Sequence, residues 1–266
     1  MNPREKRLSR RSMLTTLAGP VALATMSRSG PAIAQTVPQR MSRIIVFDVN
    51  ETLLDVDALK PHFARAFGDE QVLREWFSTV LLYSEVASLA GPYSDFGAIG
   101  GAALDMTATS RRVSLSADDR TRILTGMRTL PAHPDVREGL RRLKDAGFRT
   151  ATLTNSAAAV VEQQLSNAGL TEFFERSFSV DTVRRFKPAP EPYRHVASEL
   201  KVDAHTLRMV AAHAWDVVGA MQAGWTAAFV ARPGKVLYPL APKPDIVEPD
   251  LRAVAERIIA VDTRPQ

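Results

Sequence analysis

The sequence predicts an α/β fold: a doubly wound parallel, Rossmann-like sheet with an inserted helical cap domain. From residue 130 onwards, strand and helix patterns alternate, which is typical of a parallel sheet with helices on both faces. A buried-strand run, IIVF at 44–47, precedes that region. The stretch 58–129 has helical periodicity and no strand pattern. We therefore predict a core of residues 42–57 and 130–262, with 58–129 as the cap.

Three helices are predicted in the cap. Apolar residues over 73–87 recur at helical spacing, and a second helix is expected over 96–107. Ser116 and Asp119 resemble a capping box that begins a third helix. In the core, helices are predicted over 135–146, 157–168, 192–200, 217–223 and 251–260, and strands over 149–154, 178–180, 207–212 and 227–231.

The distribution of charge along the chain bears on its possible partners. At 266 residues with 45% hydrophobic content, the chain is long enough to bury a large core. The net charge is +5, but six of the 34 Lys and Arg lie in residues 1–35 beside one acid, so residues 36–266 are neutral. The high pI therefore does not indicate binding to nucleic acid or to an anionic membrane.

The first 35 residues have the pattern of an export signal. Arg10 and Arg11 form a twin-arginine pair, an apolar run over 13–26 follows, and Ala32 to Ala34 is a small-x-small cleavage site. The run is too short to span a bilayer. We predict a twin-arginine signal over 1–35 and a mature periplasmic protein. A disordered basic tail or an uncleaved anchor are the alternatives.

The absence of cysteine limits the chemistry. With no thiol, a cysteine nucleophile and thiolate metal ligands are excluded. A protein that folds before export also has no need of periplasmic disulfides. The remaining candidates are carboxylates, hydroxyls, histidines and lysines.

Four polar clusters follow predicted strands. Because the carboxyl ends of parallel strands meet at one edge of a sheet, these clusters are expected to converge there. They are Asp48 to Thr52, Thr154 to Ser156, Lys187 with Pro188, and His213 to Asp216. A carboxylate held at such an edge can act as a nucleophile or a metal ligand.

Elementary electrostatics assigns roles to the charged members. Asp48 attacks only when it is ionised, and Lys187 beside it would hold its pKa below the ordinary value of about 3.9. Asp216 can anchor the Lys187 ammonium. We therefore predict Asp48, Lys187 and Asp216 as the catalytic residues.

The remaining polar and aromatic residues are assigned to substrate binding. Hydroxyl and amide donors can aim one carboxylate oxygen and hold the acid group of a substrate, and aromatic side chains can line a small pocket. The residues so predicted are Thr52, Asn50, Thr154, Asn155, His213, Phe77, Tyr193 and Trp215.

Structural alternatives to these roles remain open. Thr154 and Asn155 could instead cap the helix that begins near residue 157. His213 could be a core or rim histidine, and could titrate near neutral pH. Tyr193 and the aromatic residues could simply pack.

The order and spacing of the motifs resemble the haloacid dehalogenase superfamily over almost the whole mature chain, and most closely its type II branch, the L-2-haloacid dehalogenases. The matching segments are FDVNETLLD (47–55), REWFSTVLLYSE (74–85), TLTNS (152–156), RRFKPAPEPY (184–193) and AAHAWDVVGA (211–220). The resemblance implies that Asp48 displaces halide from the α carbon of a 2-halo acid. Water then cleaves the aspartyl ester and releases a 2-hydroxy acid. The resemblance also implies a homodimer that forms through the cap helices.

The chain differs from the phosphatases of that superfamily at two positions. Those enzymes carry a second Asp two residues after the nucleophile, where this chain has Asn50, and a magnesium-binding acid where it has Ala212. Asn50 cannot act as a general acid, and the remaining oxygen ligands are poor for magnesium. We expect neither a metal nor any other cofactor.

The chain also differs from the branch that it most resembles. Asn50 replaces an aromatic hydroxyl, Phe77 replaces an arginine that receives the halide, Ala211 replaces a serine and His213 an asparagine. A departing halide needs positive or donor groups. Arg74, one helical turn before Phe77, or Asn50 with His213, would have to supply them.

Three hypotheses follow. The first is a metal-independent hydrolase of small 2-halo acids. The second is another hydrolase of the superfamily, such as a weak phosphatase, and the third is a non-catalytic protein that binds a small anion. The expected partner is a small molecule, with no nucleic acid and no membrane after signal cleavage.

Overall fold

The computed structural model describes residues 43–262. The predicted export signal, and the periplasmic location that it implies, lie outside these residues and stay predictions. Within 43–262, no helix has the length and apolar character that crossing a membrane requires.

The strands are β1 Ile44–Phe47, β2 Arg149–Thr154, β3 Arg176–Ser179, β4 Leu207–Ala211, β5 Thr226–Val230 and β6 Ile246–Glu248. The helices are α1 Lys60–Phe67, α2 Val72–Leu89, α3 Phe96–Ser110, α4 Ala117–Gly126, α5 Val136–Asp145, α6 Ala158–Asn167, α7 Pro190–Leu200, α8 Ala214–Gln222 and α9 Leu251–Asp262.

The six strands form one parallel sheet in the order β3-β2-β1-β4-β5-β6. The chain moves outward from β1 to β3 and then returns to the other side of β1, so the strand order reverses at β1. Phe47, the last residue of β1, is level with Thr152 and Val210 on the neighbouring strands. The residue after it, Asp48, therefore lies at the point where ligands bind in open α/β sheets.

Both faces of the sheet are covered, as the continuous apolar sequence of β1 predicts. Ile45 and Phe47 belong to the apolar core under α5, α6 and α9, whereas Ile44 and Val46 belong to the core under α7 and α8. Successive side chains of a strand point to opposite faces. The predicted doubly wound architecture is confirmed.

Helices α1 to α4 form the cap, and the described part of 58–129 contains no strand. The Trp76 indole donates to the Gly100 carbonyl at 2.9 Å and so joins α2 to α3. The cap touches the core where the Phe186 amide donates to the Ser88 hydroxyl at 2.8 Å. The end of α2 therefore supports the segment that carries Lys187. The domain boundaries themselves stay a prediction.

Several elements differ from the prediction. Helix α1 and strand β6 were not predicted, because eight and three residues are too short to show a clear period. Helix α8 begins at Ala214 rather than 217. Helix α7 begins at Pro190 rather than 192, and β3 covers 176–179 rather than 178–180.

Gly139 on α5 allows this helix to lie directly against the start of α9. A Cβ atom at Gly139 would lie 2.7 Å from the Leu251 carbonyl oxygen. We expect Gly139→Ala to lower the free energy of unfolding by about 1–3 kcal/mol, as overpacked cores do. Urea denaturation measures it. Gly100→Ala on α3 is the control, because its Cβ would meet nothing closer than 3.8 Å and should stabilise by up to about 1 kcal/mol. Equal effects at both glycines would contradict the close approach.

Candidate active site

Asp48 is the centre of the candidate site. It is only 4% exposed, and its amide donates to the Val210 carbonyl at 3.0 Å, which ties it to β4. The Lys187 ammonium lies 3.0 Å from Oδ1. The Thr52 hydroxyl donates to Oδ2 at 2.6 Å, and Nδ1 of His213 lies 3.0 Å from the same oxygen. Both carboxylate oxygens are therefore held by donors.

The Thr52 hydroxyl has only one orientation open to it. Its oxygen accepts the Ala212 amide at 2.9 Å, so its own hydrogen points to Asp48. Ala212 follows β4, and Thr52 follows β1. This pair of bonds therefore fixes Asp48 relative to two strands.

Lys187 is buried and uses all three of its N–H donors on the protein. They go to Asp48, to the Asp216 carboxylate at 2.6 Å and to the Leu153 carbonyl at 2.8 Å. Its backbone amide donates to Oδ1 of Asn155 at 3.0 Å. The ammonium is therefore a fixed charge with no donor left for a substrate.

Asp216 anchors Lys187, as predicted. Its other oxygen accepts the Tyr193 hydroxyl at 2.6 Å, so both oxygens are acceptors, as an ionised carboxylate requires. Helix α8 approaches closely because Gly219 has no side chain. A Cβ there would lie 2.6 Å from the Tyr193 hydroxyl and 2.7 Å from Cβ of Pro188.

His213 lies between two carboxylates. Nδ1 faces Asp48, and Nε2 lies 2.7 Å from Oε2 of Glu51. Both contacts are hydrogen bonds only when both ring nitrogens carry a proton, so this geometry selects the imidazolium. Trp215 stacks on the ring with centroids 4.8 Å apart. Lys235 completes the row, with its ammonium 2.6 Å from Oε1 of Glu51.

Six charged side chains thus alternate in sign, and we call this row the ion chain. With His213 protonated the ion chain has no net charge. Its inner members are buried, so the charge of each is stabilised by its charged neighbours rather than by water. In spatial order, the ion chain consists of Asp216, Lys187, Asp48, His213, Glu51 and Lys235.

The pKa values follow from this arrangement. Burial raises the pKa of Asp48, but the Lys187 ammonium and His213 outweigh it and hold that pKa well below its ordinary value. Burial lowers the pKa of His213, but its bonds to Asp48 and Glu51 reverse the effect and raise the pKa to about 9. Burial also opposes the charge on Lys187, yet Asp216 and Asp48 raise the Lys187 pKa above its usual value. For Asp216, burial raises the pKa.

The expected lowering of the Asp48 pKa is thus supported, whereas the suggestion that His213 titrates near neutral pH is wrong. The error has a simple cause. The sequence does not show that Glu51 lies on the far side of the imidazole, where its negative charge favours the protonated ring.

Thr154 and Asn155 form no hydrogen bond with Asp48 in the described structure, so the prediction that they aim its carboxylate is wrong. The Thr154 hydroxyl accepts the Ser156 amide at 3.1 Å, and Asn155 holds the backbone of Lys187. The alternative that they cap a helix is also wrong, because α6 begins after Ala157 without a side-chain cap. Their role toward a substrate stays a prediction.

Asn50 turns away from Asp48 as well. Its amide donates to the Ser156 hydroxyl at 3.1 Å, and its carbonyl oxygen accepts Nε2 of Gln164 at 3.0 Å. These bonds occupy the Asn50 side chain in the described structure. Its predicted role toward the substrate or the halide stays a prediction.

Two cavities lie at the boundary of cap and core, and Phe77 lines both. One, of about 320 Å³, is mainly apolar and includes Trp76, Phe96, Ser156 and Gln164 in its lining. We call it the apolar cavity. Asp48 is absent from its lining, but Asn50 bonds to two of its lining residues.

The other cavity, of about 340 Å³, is lined by Glu51, Arg74, Lys235 and others, and we call it the charged cavity. Asp48 is absent from its lining too, but it is linked to Glu51 through His213. One side chain, that of His213, thus separates the candidate nucleophile from the Glu51 wall of the charged cavity.

Glu51 and Lys235 were missed by the sequence analysis. Lys235 follows β5 by five residues, so the same strand-end argument that found the other clusters could have included it. Glu51 lies inside the predicted cluster Asp48 to Thr52, but the direction of its side chain could not be read from the sequence, because it depends on a backbone φ of 60° in the turn.

A buried carboxylate at the end of the central strand, beside a fixed ammonium and under a helical cap, defines a capped α/β enzyme with an aspartate as its candidate nucleophile. A family model described as haloacid dehalogenase-like hydrolase matches residues 43–224. The chain belongs to that family.

Named relatives lie in one branch of the family. A (S)-2-haloacid dehalogenase 1 of Pseudomonas sp. (strain CBS-3) is 33% identical over 204 residues, or 76% of this chain and 90% of the relative. The structure of the L-2-haloacid dehalogenase of Xanthobacter autotrophicus superposes with a TM-score of 0.77 at 28% identity, covering 83% of this chain and 99% of that one. The same enzyme with chloropropionic acid covalently bound gives 0.76 at 27% identity, with the same coverage. The resemblance seen in the sequence is confirmed.

Removing the Lys187 ammonium should destabilise the folded protein, because two buried carboxylates then lack their cation. We expect Lys187→Met to lower the free energy of unfolding at pH 7 by about 3–5 kcal/mol, because Asp48 and Asp216 lose their shared cation. The pKa of Asp216, which burial already raises in the folded protein, rises further without the ammonium, so the folded variant binds more protons. Its deficit should therefore shrink as the pH falls from 7 to 5.

Urea denaturation at several pH values measures this change. Lys60→Met is the matched control, because Lys60 forms an exposed pair with Asp57 and should cost about 0–1 kcal/mol at any of these pH values. A deficit for Lys187→Met that stays constant with pH would show that the carboxylates are not its cause.

Proposed function

We propose that this chain hydrolyses the carbon–halogen bond of small 2-halo carboxylic acids through an aspartyl ester on Asp48. The carrying observation is the buried, ionised Asp48, held by Lys187, Thr52 and His213 in a member of the haloacid dehalogenase-like hydrolases. Named dehalogenases among the relatives support the same reaction.

The first step is an in-line displacement. A carboxylate oxygen of Asp48 forms a bond to the α carbon as the carbon–halogen bond breaks, and the halide leaves with the bonding electrons. Oδ2 accepts two hydrogen bonds and Oδ1 only one, so Oδ1 keeps a lone pair for attack. Holding both reactants in place supplies much of the rate.

The second step is hydrolysis of the ester. Water adds to the ester carbonyl carbon, the bond from that carbon to the substrate oxygen breaks, and the 2-hydroxy acid leaves. One proton is released overall, and Asp48 is restored as a carboxylate. The donors to Asp48 also face the oxygen on which negative charge develops, which lowers the barrier.

The proposed reaction uses no metal. Lys187 already lies between the two carboxylates that would have to share one, at 3.0 Å from Asp48 and 2.6 Å from Asp216. Within residues 43–262, no group of three or more His, Asp or Glu could hold a metal ion. The ammonium supplies the positive charge at this position.

The apolar cavity is proposed to receive the hydrocarbon part of the substrate. Trp76, Phe77 and Phe96 give it an aromatic wall, and Ser156 and Gln164 add hydrogen-bonding groups. Asn50 bonds to Ser156 and Gln164 of this lining. A homodimer through the cap helices stays a prediction.

A single turnover in H₂¹⁸O tests the nucleophile. With enzyme in excess over 2-chloropropionate, the product oxygen comes from Asp48, so we expect ¹⁸O in peptide 44–55 and none in the product hydroxyl. Mass spectrometry of both measures it. Asp48→Asn is the control and should release no halide, while EDTA should leave the rate unchanged. Label in the product alone, or a requirement for a divalent cation, would contradict the proposal.

Arg74 is the candidate acceptor of the halide. It lies one helical turn before Phe77, lines the charged cavity, and has no ion-pair partner among residues 43–262. We expect Arg74→Met to lower kcat by roughly tenfold, less than the loss of a fully buried donor. The loss should be larger for chloride than for bromide, since chloride is the poorer leaving group.

Halide release from 2-chloro- and 2-bromopropionate measures this effect. Arg122→Met is the matched control, because Arg122 lies on the cap but pairs with Asp118 at 2.9 Å. Equal rates for Arg74→Met and the parent protein with both halides would exclude Arg74 from the halide site.

A further inference from the structure

The two steps of the proposed reaction do not by themselves require the far end of the ion chain, which consists of His213, Glu51 and Lys235. Displacement needs an ionised Asp48, and Lys187 with Thr52 already provides the charge and one donor. Yet His213 also bonds to Asp48, and behind it Glu51 and Lys235 continue the row. This part of the site needs its own account.

Three contacts fix the His213 ring. Nδ1 is 3.0 Å from Asp48, Nε2 is 2.7 Å from Glu51, and Trp215 stacks on one face. The ring is buried, so water cannot replace these partners. A neutral imidazole has one donor and one acceptor nitrogen, and its acceptor nitrogen would then face a carboxylate oxygen at hydrogen-bonding distance. The geometry therefore requires a second anion that stabilises the doubly protonated ring, and Glu51 is that anion.

Glu51 is itself held in place. Its backbone has a φ of 60°, a conformation that is unfavourable in a residue other than glycine. This turn directs the Glu51 carboxylate to His213 with one oxygen and to Lys235 with the other. Lys235 comes from the loop after β5, on the opposite side of β4 from β1. The contact thus joins two separate strand ends.

We propose that Glu51, held by Lys235, is a positioning residue that keeps His213 as an imidazolium against the nucleophile Asp48. The imidazolium fixes Oδ2. When Oδ1 has formed the ester, Oδ2 is the carbonyl oxygen, and the imidazolium provides a second positive charge beside it as water adds and the hydroxy acid leaves. Glu51 itself touches neither Asp48 nor the reacting atoms. Because this inference deepens the proposed function, its test has one measurement that needs no substrate.

The raised pKa of His213, about 9, agrees with this geometry. The charged form of His213 is the active one, so activity should fall as the pH rises through that value. Lys187 loses its proton only at higher pH, since its own pKa is raised above the usual value. The other charged or titratable groups around the imidazole are Asp48, Glu51, Lys235, Asp216, Arg232, which bonds to the Thr52 carbonyl, and His133, whose ring contacts the Glu51 carbonyl.

The first measurement is an NMR titration of the histidine ring nitrogens in the full protein, with His213→Asn to assign the signal. We expect His213 to titrate near pH 9 in the parent protein. In Glu51→Gln it should titrate about one to three pH units lower, the range expected for the loss of an adjacent opposite charge. Lys235→Met should raise the pH at which His213 titrates, because Glu51 loses the cation that partly offsets its negative charge. Lys235→Arg should restore the parent value.

The second measurement is the pH profile of kcat/KM with 2-chloropropionate. Its alkaline limb should move with the NMR titration in Glu51→Gln and disappear in His213→Asn. Asp57→Asn is the matched control, because Asp57 lines the same charged cavity but pairs with Lys60, so the limb should stay in place.

The outcomes separate this inference from the proposed function. A His213 titration that does not respond to Glu51→Gln overturns the inference, whatever the activity. A titration that moves while the limb stays overturns the positioning role in catalysis. If no 2-halo acid is hydrolysed by the parent protein, the proposed function fails, yet a shifted NMR titration still supports Glu51 as the residue that sets the charge of His213.

Discussion

The contact between Lys187 and its two carboxylates is the constraint on which the rest of the site depends. Two ionised carboxylates cannot lie within reach of one another in a buried position unless a cation separates them. The ammonium separates Asp48 from Asp216 and uses its third donor on the Leu153 carbonyl. Asn155 and Asp216 hold this ammonium in place, and Thr52 and His213 complete the hydrogen bonds of Asp48.

The residues that hold Lys187 in place come from separate elements of the fold. Asn155 after β2 fixes the Lys187 backbone, α7 supplies Tyr193, and α8 supplies Asp216. Gly219 lets α8 and α7 approach closely enough for the Tyr193 bond. The cap contributes Ser88, which accepts the amide before Lys187. A change in the cap can therefore alter the position of the ammonium without touching the reacting atoms.

Much of this arrangement could be predicted from the sequence because it depends on the sheet. Asp48 follows β1, Asp216 lies in the first turn of α8 after β4, and Lys187 lies eight residues beyond β3; the parallel register brings the ends of these strands to one edge of the sheet. The strands themselves were predictable from apolar runs, except for the three residues of β6. Topology thus accounts for the charged centre.

Side-chain direction was not predictable in the same way. Asn50 and Glu51 are neighbours in one turn, but Asn50 bonds toward the apolar cavity and Glu51 toward the charged one. The positive φ at Glu51 decides this difference, and no local pattern marks it. Thr154 was misassigned for a related reason, since its hydroxyl bonds to a backbone amide two residues on rather than across the site.

The two ends of the ion chain differ in their contact with solvent, and this difference has a chemical consequence. Asp216 and Lys187 are fully buried, so their charges cannot be screened by salt or reorganised by water. At the other end, the Glu51 and Lys235 side chains keep 21% and 26% of their exposure, beside the charged cavity. The charges of Glu51 and Lys235 are therefore open to screening by salt, whereas the Lys187 end gives the nucleophile an electrostatic environment that salt does not reach.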